Sequence, residues 1–169
     1  MAQEEPEERI VLGDASALIG LAAAGGFDLL QRLFGAFHVT ASVRDEILAG
    51  SGKPGVTELQ GALDAGWVCV VEDVPDTPVF PELGEGEAST LRAALAIGSE
   101  SLAILDDKRA RESAMAFGIR HVGTLGVILV AKRRGLIEAA GPFFADLVDH
   151  GFHIPESLLK TLLREIGEA

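Results

Sequence analysis

The chain has 169 residues, 48% of them hydrophobic, and a formal net charge of −12. This length and composition predict one domain with a substantial core and exclude a largely disordered chain. No apolar stretch approaches the ~18–20 residues that span a bilayer, which excludes a membrane-spanning protein, and the acidic balance argues against a uniformly basic nucleic-acid-binding surface.

The chain begins with an acidic segment that lacks the basic flank and apolar block of a secretion signal. We expect residues 1–9 to form a disordered acidic tail and residues 10–169 to form a single domain. The one cysteine, Cys69, lies in an apolar run and has no partner for an internal disulfide. It predicts a buried strand thiol in a reducing compartment, and hence a cytoplasmic protein.

Short apolar runs alternate with helical patterns along the rest of the chain. In chain order these patterns predict a strand over 10–12, helices over 17–24 and 27–34, a strand over 37–39, helices over 43–48 and 56–63, a strand over 67–71, a loop over 73–81, a helix over 85–97, a strand over 102–105, a helix over 108–117, a strand over 120–122, and helices over 125–134, 142–150 and 155–166. The predicted helix N-caps include Ser16, Thr124 and either Thr40 or Ser42. This alternation predicts an α/β fold with a mostly parallel sheet covered by helices on both faces.

Six acidic residues lie near the predicted ends of strands or the starts of the helices that follow them. They are Asp14, Glu46, the pair Glu85 and Glu87, and the pair Asp106 and Asp107. Ligands of open parallel sheets bind beyond the carboxyl ends of the strands. We therefore expect these side chains to gather at one edge of the sheet.

These acids also have purely structural explanations. Asp14, or one of the aspartates Asp106 and Asp107, would serve as a helix cap. Acids such as Glu85 and Glu87 are favourable at a helix N-terminus because of the helix dipole. The functional interpretation therefore depends on whether the acids converge.

Convergence of these acids would favour a bound cation. Two carboxylates about 4 Å apart repel by roughly 4 kcal/mol at an effective dielectric constant of 20. Three or four together would protonate or spread apart unless a divalent ion neutralised them. Ligation by oxygen alone favours Mg²⁺ or Mn²⁺ over zinc, and the four histidines show no metal-binding spacing.

A basic segment follows the last acidic pair. Residues 108–134 contain seven basic residues against one acid, Glu112. Such a segment would either contact a phosphate backbone beside the acidic pocket or solvate helix faces. The basic candidates for nucleic-acid contact are Lys108, Arg109, Arg111, Lys132, Arg133 and Arg134.

The order of these motifs resembles the PIN-domain nucleases, and within them a prokaryotic subgroup of toxin-like proteins. The motifs that carry the resemblance are Asp14-Ala-Ser-Ala-Leu-Ile, Val43-x-x-Glu46-Ile, Gly84-Glu85-x-Glu87-Ala and Leu-Asp106-Asp107-Lys108-x-x-Arg111. The subgroup also shows Gly-Thr124-Leu-Gly-Val and the Lys/Arg-Gly-Leu-Ile that follows it. The similarity extends over about residues 10–163.

The resemblance implies a three-layer α/β/α fold around a short, mostly parallel sheet, and an Mg²⁺- or Mn²⁺-dependent ribonuclease. It implies that four acids carry catalysis and metal binding: Asp14, Glu46, Glu87 and Asp107. Glu85 is the alternative to Glu87, and Asp106 is the alternative to Asp107. Ser16 and Thr124 match small hydroxyl positions near the metal. The resemblance also implies RNA as substrate, a homodimer and, for toxin members, a small antitoxin partner.

Two other interpretations stay open at this point. One is a catalytically inert PIN-like module that binds RNA or protein. The other is a receiver-like signalling domain that is phosphorylated on an aspartate. In that second interpretation Glu46 and Glu87 have no role.

Overall fold

The computed structural model describes residues 9–169, so the predicted acidic tail lies outside the described residues except for Arg9. Each predicted strand and helix is found within two residues of its expected ends. In chain order the elements are β1 (Ile10–Gly13), α1 (Ala15–Ala23), α2 (Leu29–Phe34), β2 (Phe37–Thr40), α3 (Ala41–Leu48), α4 (Val56–Ala65), β3 (Val68–Val71), α5 (Glu85–Ile97), β4 (Ser101–Ile104), α6 (Lys108–Ala116), β5 (His121–Val122), α7 (Thr124–Arg133), α8 (Gly141–Asp149) and α9 (Glu156–Glu165).

The strands within residues 9–169 form one parallel sheet in the order β3-β2-β1-β4-β5. The chain moves outward from β1 to β3 and then returns to the other side of β1 as β4. Gly13 at the end of β1 is in register with Ile104 at the end of β4. A crevice for ligands is expected where the strand order reverses, which is between these two strand ends.

Alternate side chains of the strands point into two separate cores. Val11 and Ile104 pack with residues of α1, α2, α7 and α8, whereas Leu12, Ala103 and Leu105 pack with α5 and α6. Each fully buried leucine contributes roughly 1.5–3 kcal/mol of hydrophobic stabilisation. Helices on both faces of a parallel sheet confirm the predicted α/β/α fold.

Gly13 fixes the backbone immediately before Asp14. A Cβ atom at this position would lie 2.7 Å from Cζ of Phe37, which is itself fully buried. Only glycine therefore lets the Phe37 ring pack against the end of β1. This close packing holds the start of the following turn against the core.

The prediction of a buried thiol at Cys69 is wrong, because this cysteine is exposed. Cys69 lies on β3, which is the edge strand of the sheet next to β2. The apolar run around it resembles a strand buried on both faces. Its position at the sheet edge, which depends on the strand order, decides the exposure instead.

The C-terminal helix α9 lies over the core, and each of its residues keeps some exposure. Leu159 and Leu163 pack against the core from this helix. Glu168, just beyond α9, accepts hydrogen bonds of 2.8 Å from the backbone amides of Ala140 and Gly141. This carboxylate satisfies amides at the N-terminus of α8 that have no partner within the helix. Across residues 9–169, the helices are all too short or too polar to cross a bilayer.

Candidate active site

Asp14 is a fully buried carboxylate at the end of β1, and it is the N-cap of α1. Its Oδ1 accepts hydrogen bonds from the Ala17 amide at 2.9 Å and from the Ser16 hydroxyl at 3.2 Å. The prediction that Ser16 caps this helix is therefore wrong, since Ser16 donates to the residue that does. Asp14 Oδ2 is buried and has no hydrogen-bond partner among the described residues.

The surroundings of Asp14 oppose its ionisation. Burial raises the pKa of Asp14 from 3.8 to about 7, and the negative charges of Asp106 and Glu87 add to the effect. The hydrogen bonds from Ala17 and Ser16 act in the opposite direction but are outweighed. A buried acid that faces other acids would be stabilised in its ionised form by a nearby cation.

Asp106, which follows β4, receives two hydrogen bonds from Thr124. The Thr124 amide donates to Oδ1 at 2.8 Å, and the Thr124 hydroxyl donates to Oδ2. The prediction of Thr124 as an N-cap is wrong, because Gly123 is the cap and Thr124 is the first residue of α7. Burial raises the pKa of Asp106, although the bonds from Thr124 and the positive charge of Arg111 oppose this rise.

Asp107 has a different role from its neighbour. It is the N-cap of α6, and its Oδ1 accepts a hydrogen bond of 2.9 Å from the Ala110 amide. The sequence led us to prefer Asp107 over Asp106 as the fourth acid. In the structure the charge of Asp106 acts on Asp14, whereas the charge of Asp107 acts on Glu87.

Glu46 and Glu87 lie close enough for their charges to interact, where α3 packs against the start of α5. Burial raises the pKa of Glu87, and the charges of Asp107 and Glu46 raise it further. The Gly84 amide donates to Glu87 at 3.1 Å, which opposes the rise. A Cβ atom on Gly86 would lie 2.6 Å from Glu46 Oε2, so Glu46 reaches across to the backbone of α5.

Glu85 is directed away from this group. Its carboxylate accepts a hydrogen bond from the guanidinium of Arg92, and its side chain is 69% exposed. Neither Asp14 nor Glu87 has its pKa raised by Glu85. Of the predicted pair, Glu87 therefore lies with the other acids and Glu85 does not.

The structure thus gathers five acids at the carboxyl edge of the sheet: Asp14, Glu46, Glu87, Asp106 and Asp107. Within residues 9–169, no three acidic, histidine or cysteine side chains already stand in an arrangement that would hold a metal ion. The residues nevertheless fit a divalent cation in their chemistry. Asp14 Oδ2 is buried without a partner, the acids oppose each other's ionisation, and all donors are oxygens of the kind that Mg²⁺ and Mn²⁺ prefer.

A PIN-domain family model (DUF3368) matches residues 10–168. The chain belongs to the PIN-domain family. PIN domains are generally nucleases and typically use divalent metal ions, so the predicted family and the general class of activity agree with this match. Comparison of the sequence with curated proteins and with solved structures gave no match. Membership in this family leaves the receiver-like interpretation without support.

Three of the predicted RNA-binding residues of this PIN domain lie on α6, which begins beside the acids. Lys108 pairs with Glu112 at 3.8 Å along the helix, and both side chains are exposed. The guanidinium of Arg109 lies 4.0 Å from Glu82, and that of Arg111 lies close enough to lower the pKa of Asp106. Exposed ion pairs such as those of Lys108 and Arg109 are weak, so these two cations can exchange partners with a phosphate.

The other three predicted RNA-binding residues, Lys132, Arg133 and Arg134, lie at the opposite end of α7 from Thr124. Lys132 and Arg133 are the last two residues of α7 and Arg134 follows them, about 12–15 Å along the helix from Thr124. Lys132 pairs with Glu168 at 3.6 Å, and Arg133 pairs with Glu165 at 3.7 Å. This cluster therefore interacts with the region around α9 and lies far from the acids.

Sequence reasoning did not find the contact that joins α3 to α5. Thr40 is the N-cap of α3, and its Oγ1 lies 2.7 Å from Oγ of Ser89. Both side chains are buried. Only the choice of Thr40 or Ser42 as a cap was visible in the sequence. No local pattern links Thr40 to a hydroxyl 49 positions away.

Proposed function

We propose that this PIN domain is an Mg²⁺- or Mn²⁺-dependent endoribonuclease that hydrolyses RNA phosphodiester bonds. The observation that carries the proposal is the state of Asp14. Its Oδ2 is buried without a partner among the described residues, and the charges of Asp106 and Glu87 oppose its ionisation. A divalent ion would relieve this repulsion and make the ionised carboxylate favourable.

In this proposal Asp14, Asp106, Glu87 and Glu46 hold the ion. Asp106 is preferred here to Asp107, the fourth acid preferred from the sequence, because the charge of Asp106 acts on Asp14 whereas that of Asp107 acts on Glu87. When bound, the ion would supply an activated water and a positive charge opposite the phosphate. Asp107 contributes negative charge near Glu87 and thereby increases the attraction for a cation.

Two hydroxyl residues are proposed to hold these carboxylates in place. Thr124 donates to both oxygens of Asp106, which fixes the plane of that carboxylate. Ser16 and the Ala17 amide donate to Oδ1 of Asp14, and the buried Oδ2 has no partner among the described residues. Such hydrogen bonds orient the oxygens that bind metal.

Contact with RNA is proposed to involve the start of α6. Lys108 follows Asp107 directly and Arg111 lies one helical turn later, close enough to Asp106 to lower its pKa, and both side chains are exposed. Their charges would attract a phosphate backbone that the acids alone would repel. The toxin role, the homodimer and the antitoxin partner rest on the resemblance and stay predictions.

The test is cleavage of a labelled RNA by purified protein with Mn²⁺, with Asp14→Asn as the control variant. Metal catalysis contributes several kcal/mol, so we expect the variant to be slower by at least about 10²-fold. Equal cleavage by both proteins would identify a contaminating nuclease. Titration calorimetry of the wild type with Mn²⁺ tests the inert-module interpretation: an intact site should bind the metal, and no heat at millimolar Mn²⁺ would favour the inert module.

A further inference from the structure

We propose that Thr40 and Ser89 are positioning residues that set the distance between Glu46 and Glu87. The inference rests on the proposed function, since it concerns two of the acids assigned there to the metal. Glu46 is on α3 and Glu87 is on α5, so their separation depends on how these two helices are joined. A buried hydroxyl pair joins these helices near their N-terminal ends.

The hydroxyl pair forms part of a continuous chain of hydrogen bonds. Thr40 Oγ1 accepts a bond of 3.3 Å from the Val43 amide and lies 2.7 Å from Ser89 Oγ. Ser89 Oγ in turn donates to the carbonyl of Gly86 at 3.0 Å. Each hydroxyl carries one hydrogen, so Thr40 donates to Ser89 and Ser89 donates to Gly86. The chain therefore runs in one direction, from the backbone of α3 to the backbone of α5.

The end of this chain lies at the point where Glu46 touches α5. Gly86 is the residue whose Cβ would lie 2.6 Å from Glu46 Oε2. Glu87 follows it directly and accepts its own bond from the Gly84 amide. Fixing the Gly86 carbonyl against Thr40 thus holds both acids relative to each other. Thr40 and Ser89 are 1% and 2% exposed, so water cannot readily replace their bond.

The chain offers a matched control next to Ser89. Thr90 is also buried in α5, and its hydroxyl donates to the same Gly86 carbonyl at 2.8 Å. The bond from Thr90 to Gly86 stays within α5, whereas Ser89 also bonds to Thr40. Loss of either hydroxyl removes one bond to Gly86, but only loss of Ser89 breaks the link between the helices.

The experiment compares Ser89→Ala with Thr90→Ala by calorimetric titration with Mn²⁺, together with thermal unfolding and RNA cleavage. Loss of residues that orient metal ligands typically reduces metal affinity by 10- to 100-fold. We expect the Mn²⁺ dissociation constant of Ser89→Ala to rise by about tenfold, and that of Thr90→Ala to stay within about twofold of wild type. Thermal unfolding checks that the variants are folded. It also tests whether the loss of Mn²⁺ affinity occurs without a matching loss of stability.

A second pair of variants tests the partner hydroxyl. Thr40→Ser keeps the hydroxyl and should retain the Mn²⁺ affinity, whereas the isosteric Thr40→Val should lose it as Ser89→Ala does. Equal affinity in Ser89→Ala and Thr90→Ala, or an equal loss in Thr40→Ser and Thr40→Val, would overturn the positioning role while the proposed function stands. Absence of Mn²⁺ binding by the wild type would overturn the proposed function, and this inference with it.

Discussion

Among the carboxylates that accept hydrogen bonds at helix N-termini in this PIN domain, Glu168 and Asp14 have opposite surroundings. Glu168 accepts from two amides of α8 and lies 3.6 Å from Lys132; although burial opposes its ionisation, these donors hold its pKa below the usual value. Asp14 caps α1 but faces Asp106 and Glu87, and its pKa is raised to about 7. Glu168 is stabilised by the protein itself, whereas Asp14 has no positive partner of this kind within residues 9–169. This difference supports the proposal that a cation binds at this edge of the sheet.

The largest expected effect is on stability, and it comes from Asp14→Asn in metal-free buffer. The folded pKa of Asp14 is raised from 3.8, so the wild type loses stability as pH rises from about 4 towards 7. Asparagine caps a helix as well as aspartate but carries no charge. At pH 8 we expect the free energy of unfolding of the variant to exceed that of wild type by up to about 4 kcal/mol.

Urea unfolding with a chelator between pH 3.5 and pH 8 measures this difference. The difference in the free energy of unfolding should become small at the acid end of the range, where the Asp14 carboxyl group of the wild type is mostly protonated in the folded and unfolded states. A wild type that is more stable than Asp14→Asn at pH 8 would contradict the contrast drawn between Asp14 and Glu168. Adding Mn²⁺ should stabilise the wild type and leave the variant nearly unchanged.

Gly86→Ala should separate metal binding from stability at the acidic edge. The added Cβ would lie 2.6 Å from Glu46 Oε2, so this exposed side chain must move away. We expect the Mn²⁺ affinity to fall about tenfold, whereas the fold gains up to about 1 kcal/mol from the better helix former. Gly61→Ala in α4 is the matched control, because nothing lies within 4 Å of its Cβ position. Equal Mn²⁺ affinity in the two variants would show that Glu46 is not held at Gly86 for metal binding.

Glu168→Gln should change the free energy of unfolding with a pH dependence opposite to that of Asp14→Asn, and the change should be smaller. The folded pKa of Glu168 is lowered, so its contribution is present above its ordinary pKa of 4.5 and is lost as pH falls through the folded value. We expect the variant to lose about 1 kcal/mol at pH 7 and almost nothing near pH 3, as judged by urea unfolding. Glu165→Gln is the control, since its exposed pair with Arg133 should contribute less than about 0.5 kcal/mol. A loss for Glu168→Gln that is the same at both pH values would assign its role to shape instead of charge.

The sequence predicted the elements and the convergence of the acids other than Glu85, because both follow from local patterns and from the rule that parallel strands end at one edge. It could not divide the roles of Asp106 and Asp107. That division depends on Thr124, which is 18 positions away and donates to Asp106. The exposure of Cys69 depends on strand order, and the distance of Lys132 from the acids depends on the direction of α7. These are tertiary facts that no local pattern contains.

The smallest expected effect is on RNA binding. It distinguishes the basic residues of α6, which lie beside the acids, from those at the end of α7, which lie far from them. Arg111→Ala should weaken RNA binding, because Arg111 is close enough to Asp106 to affect its pKa and is exposed to a bound strand. Each phosphate contact with a single strand contributes about 0.7 to the slope of log affinity against log salt, so the variant should lose about that much. Arg134→Ala, at the far end of α7, should leave the slope unchanged. Fluorescence anisotropy in metal-free buffer measures both slopes. A larger loss for Arg134→Ala would place the RNA along α7 and separate its binding surface from the acids.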